Sequence, residues 1–288
     1  MHFSIAFVVL LAALMHASWN AIVQGSHHRA LSMATLNFVS ALVCVPFLPF
    51  VDFPTPESWP YLAFSVVTHG LYITLLMFAY KYGPLNLSYP IARGLSPILL
   101  TLISLIILDD HLSATTIVGI AAISFAIFSL VFTARKTTPM NGEHVETKAV
   151  VFALMTGCMI ASYSTADAIG ARMNANTLSY SLWLMFLCQF PFSWYVFYRY
   201  RNHIHLFFKV GIAKSAFAGA LATINYALIL WCMTQAPAAS VSSLRESSVI
   251  FASLIGAVIL KEPFGRARIM AACLLVGGVV LLITSKAG

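Results

Sequence analysis

Apolar runs of about 20 residues, separated by very short polar breaks, recur along the whole chain. Ten are legible, over about 3–23, 31–51, 59–80, 84–108, 112–133, 149–170, 177–198, 209–233, 237–260 and 265–284. At about 1.5 Å of rise per residue, each is long enough for a hydrocarbon core of about 30 Å. None has the alternating ten-residue pattern of an outer-membrane strand. The pattern predicts an all-α polytopic membrane protein with ten transmembrane helices. Breaks such as "KYG", "DDH", "QA" and "KEPFG" are too short to house a catalytic domain.

One longer break, "ARKTTPMNGEHVETK" (134–148), falls near the midpoint. Shifting the second half by 152 positions lays "SLRESSVIFASLIGAVILKE" (243–262) on "IARGLSPILLTLISLIILDD" (91–110). Arg245 then meets Arg93, Ser248 meets Ser96, and the closing acid Glu262 meets Asp110. A shift of 144 lays "ASY" (161–163) on "ASW" (17–19). The expected organisation is a first five-helix repeat over 1–134, a linker over 135–148 and a second repeat over 149–288. Five is odd, so the second repeat enters the membrane from the opposite side.

Composition agrees with this reading. The chain is 60% hydrophobic and 9% charged, against about 25% charged in soluble domains. The formal charge of +7 sits in the short breaks, with no basic face or tail. It reads as a topology signal, and no nucleic-acid partner is expected. With the N-terminus outside, twelve Lys and Arg residues fall in inside loops and two, Arg172 and Lys286, fall outside. Both termini are therefore expected outside the cytoplasmic membrane. The opening "FSIAFVVLLAALMHA" lacks a basic leader and reads as the first span rather than a signal peptide. The five cysteines lie inside apolar runs without a CxxC pair, so disulfides, a metal site and a cofactor are not expected.

The candidate chemistry lies at membrane depth. Arg93 stands about nine residues into the fourth run, about 14 Å deep, amid Pro90, Gly94 and Pro97. Arg245 has the equivalent depth in the ninth run. A charge there costs about 2.5–3.5 kcal/mol on insertion scales, so it should face a cavity or a partner. Paired guanidiniums favour an anionic or zwitterionic substrate; an arginine tied to helix-end carbonyls is the plain alternative for each. The two prolines mark the fourth run as an interrupted helix, and because they are not repeated the break is expected in the first half alone.

Trp19, Asn20, Tyr72, Tyr163, Asn225 and Tyr226 are the other candidate substrate contacts. Glu246, His69 and His16 are candidates for ion coupling. Glu246 directly follows Arg245, so on a continuous helix it would serve a different surface. Asp167 is a further polar residue at membrane depth, read as an interhelix hydrogen-bonding group, with an interfacial place near the helix end as the alternative. Gly119, Ala122 and Ala126, with Ala267 and Ala271, suit close packing of the fifth and tenth runs. No GxxxxGK[ST], GxSxG or HExxH is present, so the chain is not expected to be an enzyme or to drive itself with ATP.

The runs "LLAALMHASWNAIV", "MFAYKYGPLNLSYPIARGLSPILLTLISLIILDDHLSATTIVGIAAISFAIFSLVF" and "LWCMTQAPAASVSSLRESSVIFASLIGAVILKEPFGRARIMAACLLVGGVVLLI" resemble EamA-type carriers of the drug/metabolite transporter superfamily. The resemblance covers the whole chain. It implies ten helices, inverted repeats, a central cavity lined by spans 1, 3, 4, 6, 8 and 9, and inner-membrane transport of a small molecule. Two departures stand out: family members commonly keep both termini in the cytoplasm, and the first repeat closes on "DDH" rather than Gly-Glu. The expected function is a secondary transporter for a small polar metabolite, working by alternating access in a lipid bilayer. A non-transporting accessory or regulatory membrane protein is the alternative, and a homodimer is left open.

Overall fold

The computed structural model describes residues 1–24, 29–83, 85–137, 147–203, 212–259 and 266–285. These residues form helices α1 (Phe3–Gln24), α2 (Arg29–Cys44), α3 (Trp59–Tyr82), α4 (Leu85–Ile106), α5 (Ala114–Thr137) and α6 (Thr147–Met173). They continue with α7 (Thr177–Arg199), α8 (Ile212–Gln235), α9 (Ala238–Arg245), α10 (Ser248–Ile259) and α11 (Arg266–Thr284). 3₁₀ turns lie at Leu48–Phe50, Pro56–Ser58 and Arg201–His203, and no strand occurs among the described residues.

α4 buries a polar stripe and exposes an apolar one. On α4 the inward stripe is Ser88, Arg93, Ser96, Thr101 and Ser104, all buried, whereas Ile98, Leu102, Leu105 and Ile106 are exposed. A 3.6-residue period thus turns polar atoms to one another and leaves apolar side chains for lipid, where an unpaired polar group is costly. Among the described residues, seven helices are long and apolar enough to cross a membrane. The remaining expected spans fall short of that measure for visible reasons. α7 interleaves Ser179, Ser181, Gln189 and Ser193 among its apolar residues. The ninth run is cut into α9 and α10, of 8 and 12 residues, or about 12 and about 18 Å. The apolar part of α11 covers only Ile269–Thr284.

Two elements differ from expectation. The second run was expected to be helical to about 51, but α2 ends at Cys44. Pro46 biases Val45 away from helical dihedrals, and Pro49 opens a 3₁₀ turn over Leu48–Phe50. The fourth run, expected to be interrupted, is one continuous helix through both prolines. The break instead falls in the ninth run, which has no internal proline. Pro97 deprives the Arg93 carbonyl of its backbone donor, and the Ser96 hydroxyl approaches that carbonyl at 3.4 Å. Such side-chain donors are how membrane helices tolerate proline.

The packing pairs the two halves. α3 lies along α6 as α1 lies along α8; α4 contacts α6 as α9 and α10 contact α1; α2 meets α7, and α5 meets α11. The Met1 amino group donates to the Ser285 carbonyl at 3.2 Å, and Ser113, just before α5, is 3.0 Å from the Ser285 hydroxyl. Asp110 in the same loop pairs with Arg172 at the end of α6, at 3.0 Å. The start of α1 and the end of α6 therefore share a face, so these two helices run in opposite directions.

α5 and α11 touch backbone to backbone. A Cβ on Gly278 would stand 2.8 Å from the Gly119 carbonyl oxygen and 2.7 Å from Ile123 Cγ1, whereas one on Gly277 would meet nothing within 4 Å. Gly278→Val is expected to cost about 1–3 kcal/mol by overpacking, lowering the unfolding temperature in detergent. Gly277→Val is expected to leave it unchanged.

Candidate substrate site

The site grows from α4. Arg93 is buried, and its guanidinium makes three side-chain bonds. Nη1 donates to Glu246 Oε1 at 2.9 Å, Nη2 reaches His16 Nε2 at 2.6 Å, and Nε donates to the Tyr89 hydroxyl at 3.2 Å. Arginine has no acceptor, so His16 accepts through Nε2 and carries its proton on Nδ1. Tyr89 sits one turn before Arg93 and also turns its ring to the cation, 5.4 Å from the centroid. The first arginine is thus held by α1, by its own helix and by the break between α9 and α10.

That break is built by serines. In "SVSSLRESS" the helix gives way to a tighter turn: the amides of Glu246, Ser247, Val249 and Ile250 bond three residues back, to Ser243, Leu244, Glu246 and Ser247. Serine side chains compete with helical backbone bonds, which weakens the helix where they cluster. The turn rotates Glu246 away from its neighbour and onto Arg93. Arg245 keeps only 4% of its surface, yet its Nε and Nη2 have no hydrogen-bond partner among the described residues. The hydroxyls of Ser242, Ser243 and Ser247 and Oε2 of Glu246 are equally unpartnered. A buried guanidinium without a carboxylate partner carries a charge that nothing bonded to it offsets.

Aromatic rings from three helices stand around this centre. His69 of α3 stacks on Tyr163 of α6, with centroids 3.8 Å apart, and Tyr226 of α8 meets it edge-on at 6.0 Å. Tyr72 meets Tyr163 edge-on at 5.7 Å. Arg245 lies within electrostatic reach of His69, Tyr72, Tyr163 and Tyr226. His69 Nδ1 lies 3.0 Å from the Ser65 carbonyl and 3.1 Å from the Ser65 hydroxyl; the carbonyl requires a protonated Nδ1, leaving Nε2 as an acceptor. His16, His69, Tyr72 and Tyr226 are only half-buried.

The structure sorts the sequence candidates. It brings Arg93, Glu246 and His16 into one bonded group and His69, Tyr72, Tyr163 and Tyr226 into one aromatic group near Arg245. Trp19 packs edge-on against His16 at 4.9 Å and joins an apolar cluster with Val23, Leu36 and Ala218. The Asn20 side chain donates back to the His16 carbonyl of its own helix at 2.8 Å. Asn225 is buried on α8 with its Oδ1 unpartnered, and no hydrogen bond joins it to the arginines. Asp167, for which an interfacial place was the alternative, is fully buried and accepts a hydrogen bond from the Tyr226 hydroxyl. Tyr89 carried no expectation, although its place four residues before Arg93 is a readable signal. No group of three or more metal-ligating side chains occurs among the described residues.

One end of this region is tied shut by polar contacts. Asp110 Oδ2 accepts from the amide of Ala238 at the start of α9, at 3.0 Å. Arg172, paired with Asp110, donates to the Met233 carbonyl at the end of α8, at 3.0 Å. The loop between α4 and α5, the end of α6 and the turn from α8 into α9 thus form one cluster.

Comparison with known proteins adds three findings. No curated protein sequence matches this chain. A solved structure titled only "Crystal structure of protein" has the same fold, with a TM-score of 0.73 at 16% identity over 98% of this chain and 96% of that chain. The family model described as "EamA-like transporter family" matches twice, over residues 3–132 and 147–284.

Proposed function

The chain belongs to the EamA-like transporter family, multi-pass membrane proteins of the drug/metabolite transporter superfamily, and from that premise we propose that it is a secondary carrier for a small anionic or zwitterionic metabolite. Arg245 holds the negative group. The rings of His69, Tyr72, Tyr163 and Tyr226 shape the space around the rest of the molecule. The Arg93–Glu246 pair holds the broken helix against α4 and α1. The observation that carries this reading is the buried, carboxylate-free guanidinium of Arg245 among unpartnered serine hydroxyls.

Alternating access of two inverted five-helix repeats, 1–134 and 149–288, supplies the movement. What supports it is the double family match, the opposite directions of α1 and α6 and the exchange symmetry of the packing. A site near the interface of two such repeats, with a discontinuous helix beside it, is the general plan of secondary transporters. Purified protein in liposomes is expected to exchange labelled carboxylates across the bilayer and to ignore neutral analogues. If no anion or zwitterion moves under any imposed gradient, the carrier reading fails, and binding without flux would assign an accessory role.

The Lys and Arg bias places the face bearing Met1, Arg172 and Ser285 outside the cytoplasmic membrane. An alkaline phosphatase fused to the C-terminus is expected to be active and a green fluorescent protein dark. The reverse result overturns this orientation.

A further inference from the structure

Asp167 is the buried ionisable group to which the carrier reading assigns no task. It lies on α6 five residues before Arg172, about 7.5 Å along the helix, between the aromatic cluster and the Asp110–Arg172 face. Tyr226 of α8 donates to its Oδ2. Hydroxyls of Ser65 on α3 and Tyr180 on α7 approach the same carboxyl, without hydrogen bonds of good geometry to Oδ1. The other ionisable groups facing it are Tyr163 on its own helix, Cys188 on α7 and Arg245 at the end of α9; Arg93 of α4 is taken by Glu246. No cation lies within ion-pair distance of Asp167 among the described residues. Through Ser65, the carboxyl is one hydroxyl away from His69 Nδ1.

The charges balance in a telling way. Among the described residues the buried charged side chains are Arg93, Arg245, Asp167 and Glu246, which sum to zero. An anion arriving alone on Arg245 would leave an uncompensated negative charge between helices, which is expensive at membrane depth. An anion arriving with a proton leaves the sum at zero. We propose that Asp167 is the proton-binding site of the carrier and that a monoanion on Arg245 and a proton on Asp167 move together, electroneutrally. This rests on the carrier reading above. The proton binds an Asp167 carboxylate oxygen and leaves with the anion. His69 and Ser65 connect the two positions. A single carboxylate with hydroxyls alone suits a proton better than sodium, which needs more oxygen ligands.

The test uses p-toluenesulfonate, a permanent aromatic monoanion that cannot cross a bilayer as a neutral acid, and wild-type protein in liposomes. With about one pH unit of external acid the probe is expected to accumulate about tenfold, about one proton entering per anion, independent of membrane potential and of sodium. Asp167→Asn is expected to abolish accumulation while leaving exchange at equal pH. Accumulation that follows potential or sodium, or that survives Asp167→Asn, overturns the coupling and leaves the carrier reading standing. If wild type moves no probe the coupling falls, and the carrier reading falls with it only if labelled carboxylates also fail to move. Infrared difference spectra of the protein in lipid give a readout independent of flux: adding the probe at fixed pH is expected to raise the carbonyl stretch of a protonated carboxyl. Tyr226→Phe, which removes the hydroxyl from Asp167, is expected to shift the frequency of that band. A band absent from wild type, or unmoved by Tyr226→Phe, overturns the assignment.

Discussion

Arg245→Ala is expected to leave a folded, membrane-inserted protein whose affinity for its anion has fallen about 100-fold or more. The guanidinium spends its Nε and Nη2 donors on no side chain in the resting protein, so removing it breaks no internal bond. What disappears is a pair of charge-assisted hydrogen bonds to the bound anion, about 3 kcal/mol together, and each 1.4 kcal/mol is a factor of ten. Arg245→Lys keeps the charge but not the fork of parallel donors, so about a tenfold loss is expected. Concentration dependence of carboxylate exchange in liposomes measures both. Unchanged affinity in Arg245→Ala would show that the anion binds elsewhere.

Arg93→Ala is expected to do the opposite: to damage the fold first. Arg93 is bonded to Glu246, His16 and Tyr89, and Glu246 is wholly buried. Removing one member of a buried ion pair leaves the other uncompensated, at a cost of about 3–5 kcal/mol. Arg93→Ala and Glu246→Ala should therefore each lower the unfolding temperature in detergent sharply. Replacing both at once, as Arg93→Met with Glu246→Leu, should restore most of the loss, because no lone charge remains. If the double variant is as unstable as the sum of the singles, the pair is not coupled as the geometry requires.

The two arginines look alike in the sequence. They coincide under the internal shift, lie at the same depth and face the same cost of burial, so nothing local separates a structural from a binding role. The separation comes from Glu246. On an unbroken helix it would sit beside Arg245 and face another way; the serine-rich turn after Arg245 carries it across to Arg93 instead. Proline was the misleading signal here. It marked α4 for a break that Ser96 and neighbouring helices prevent, while serines broke the ninth run without one. For Asp167 the sequence left open a membrane-depth or an interfacial place, since distance from a helix end says nothing of the helices packed around that end. Gly119 was legible as a close contact, but its partner, Gly278, was not.

Membership of the membrane and the helical class were determined by the sequence alone. These depend on hydropathy, run length and rise per residue, which are properties of each segment by itself. Which charge neutralises which, which guanidinium stays free, and which carboxyl is sealed beside the site were decided only by tertiary structure. Pairing energies in a low-dielectric interior fall off over a few ångströms, and Arg93 and Glu246, 153 residues apart in the chain, come within 2.9 Å only when α4 packs against the broken helix.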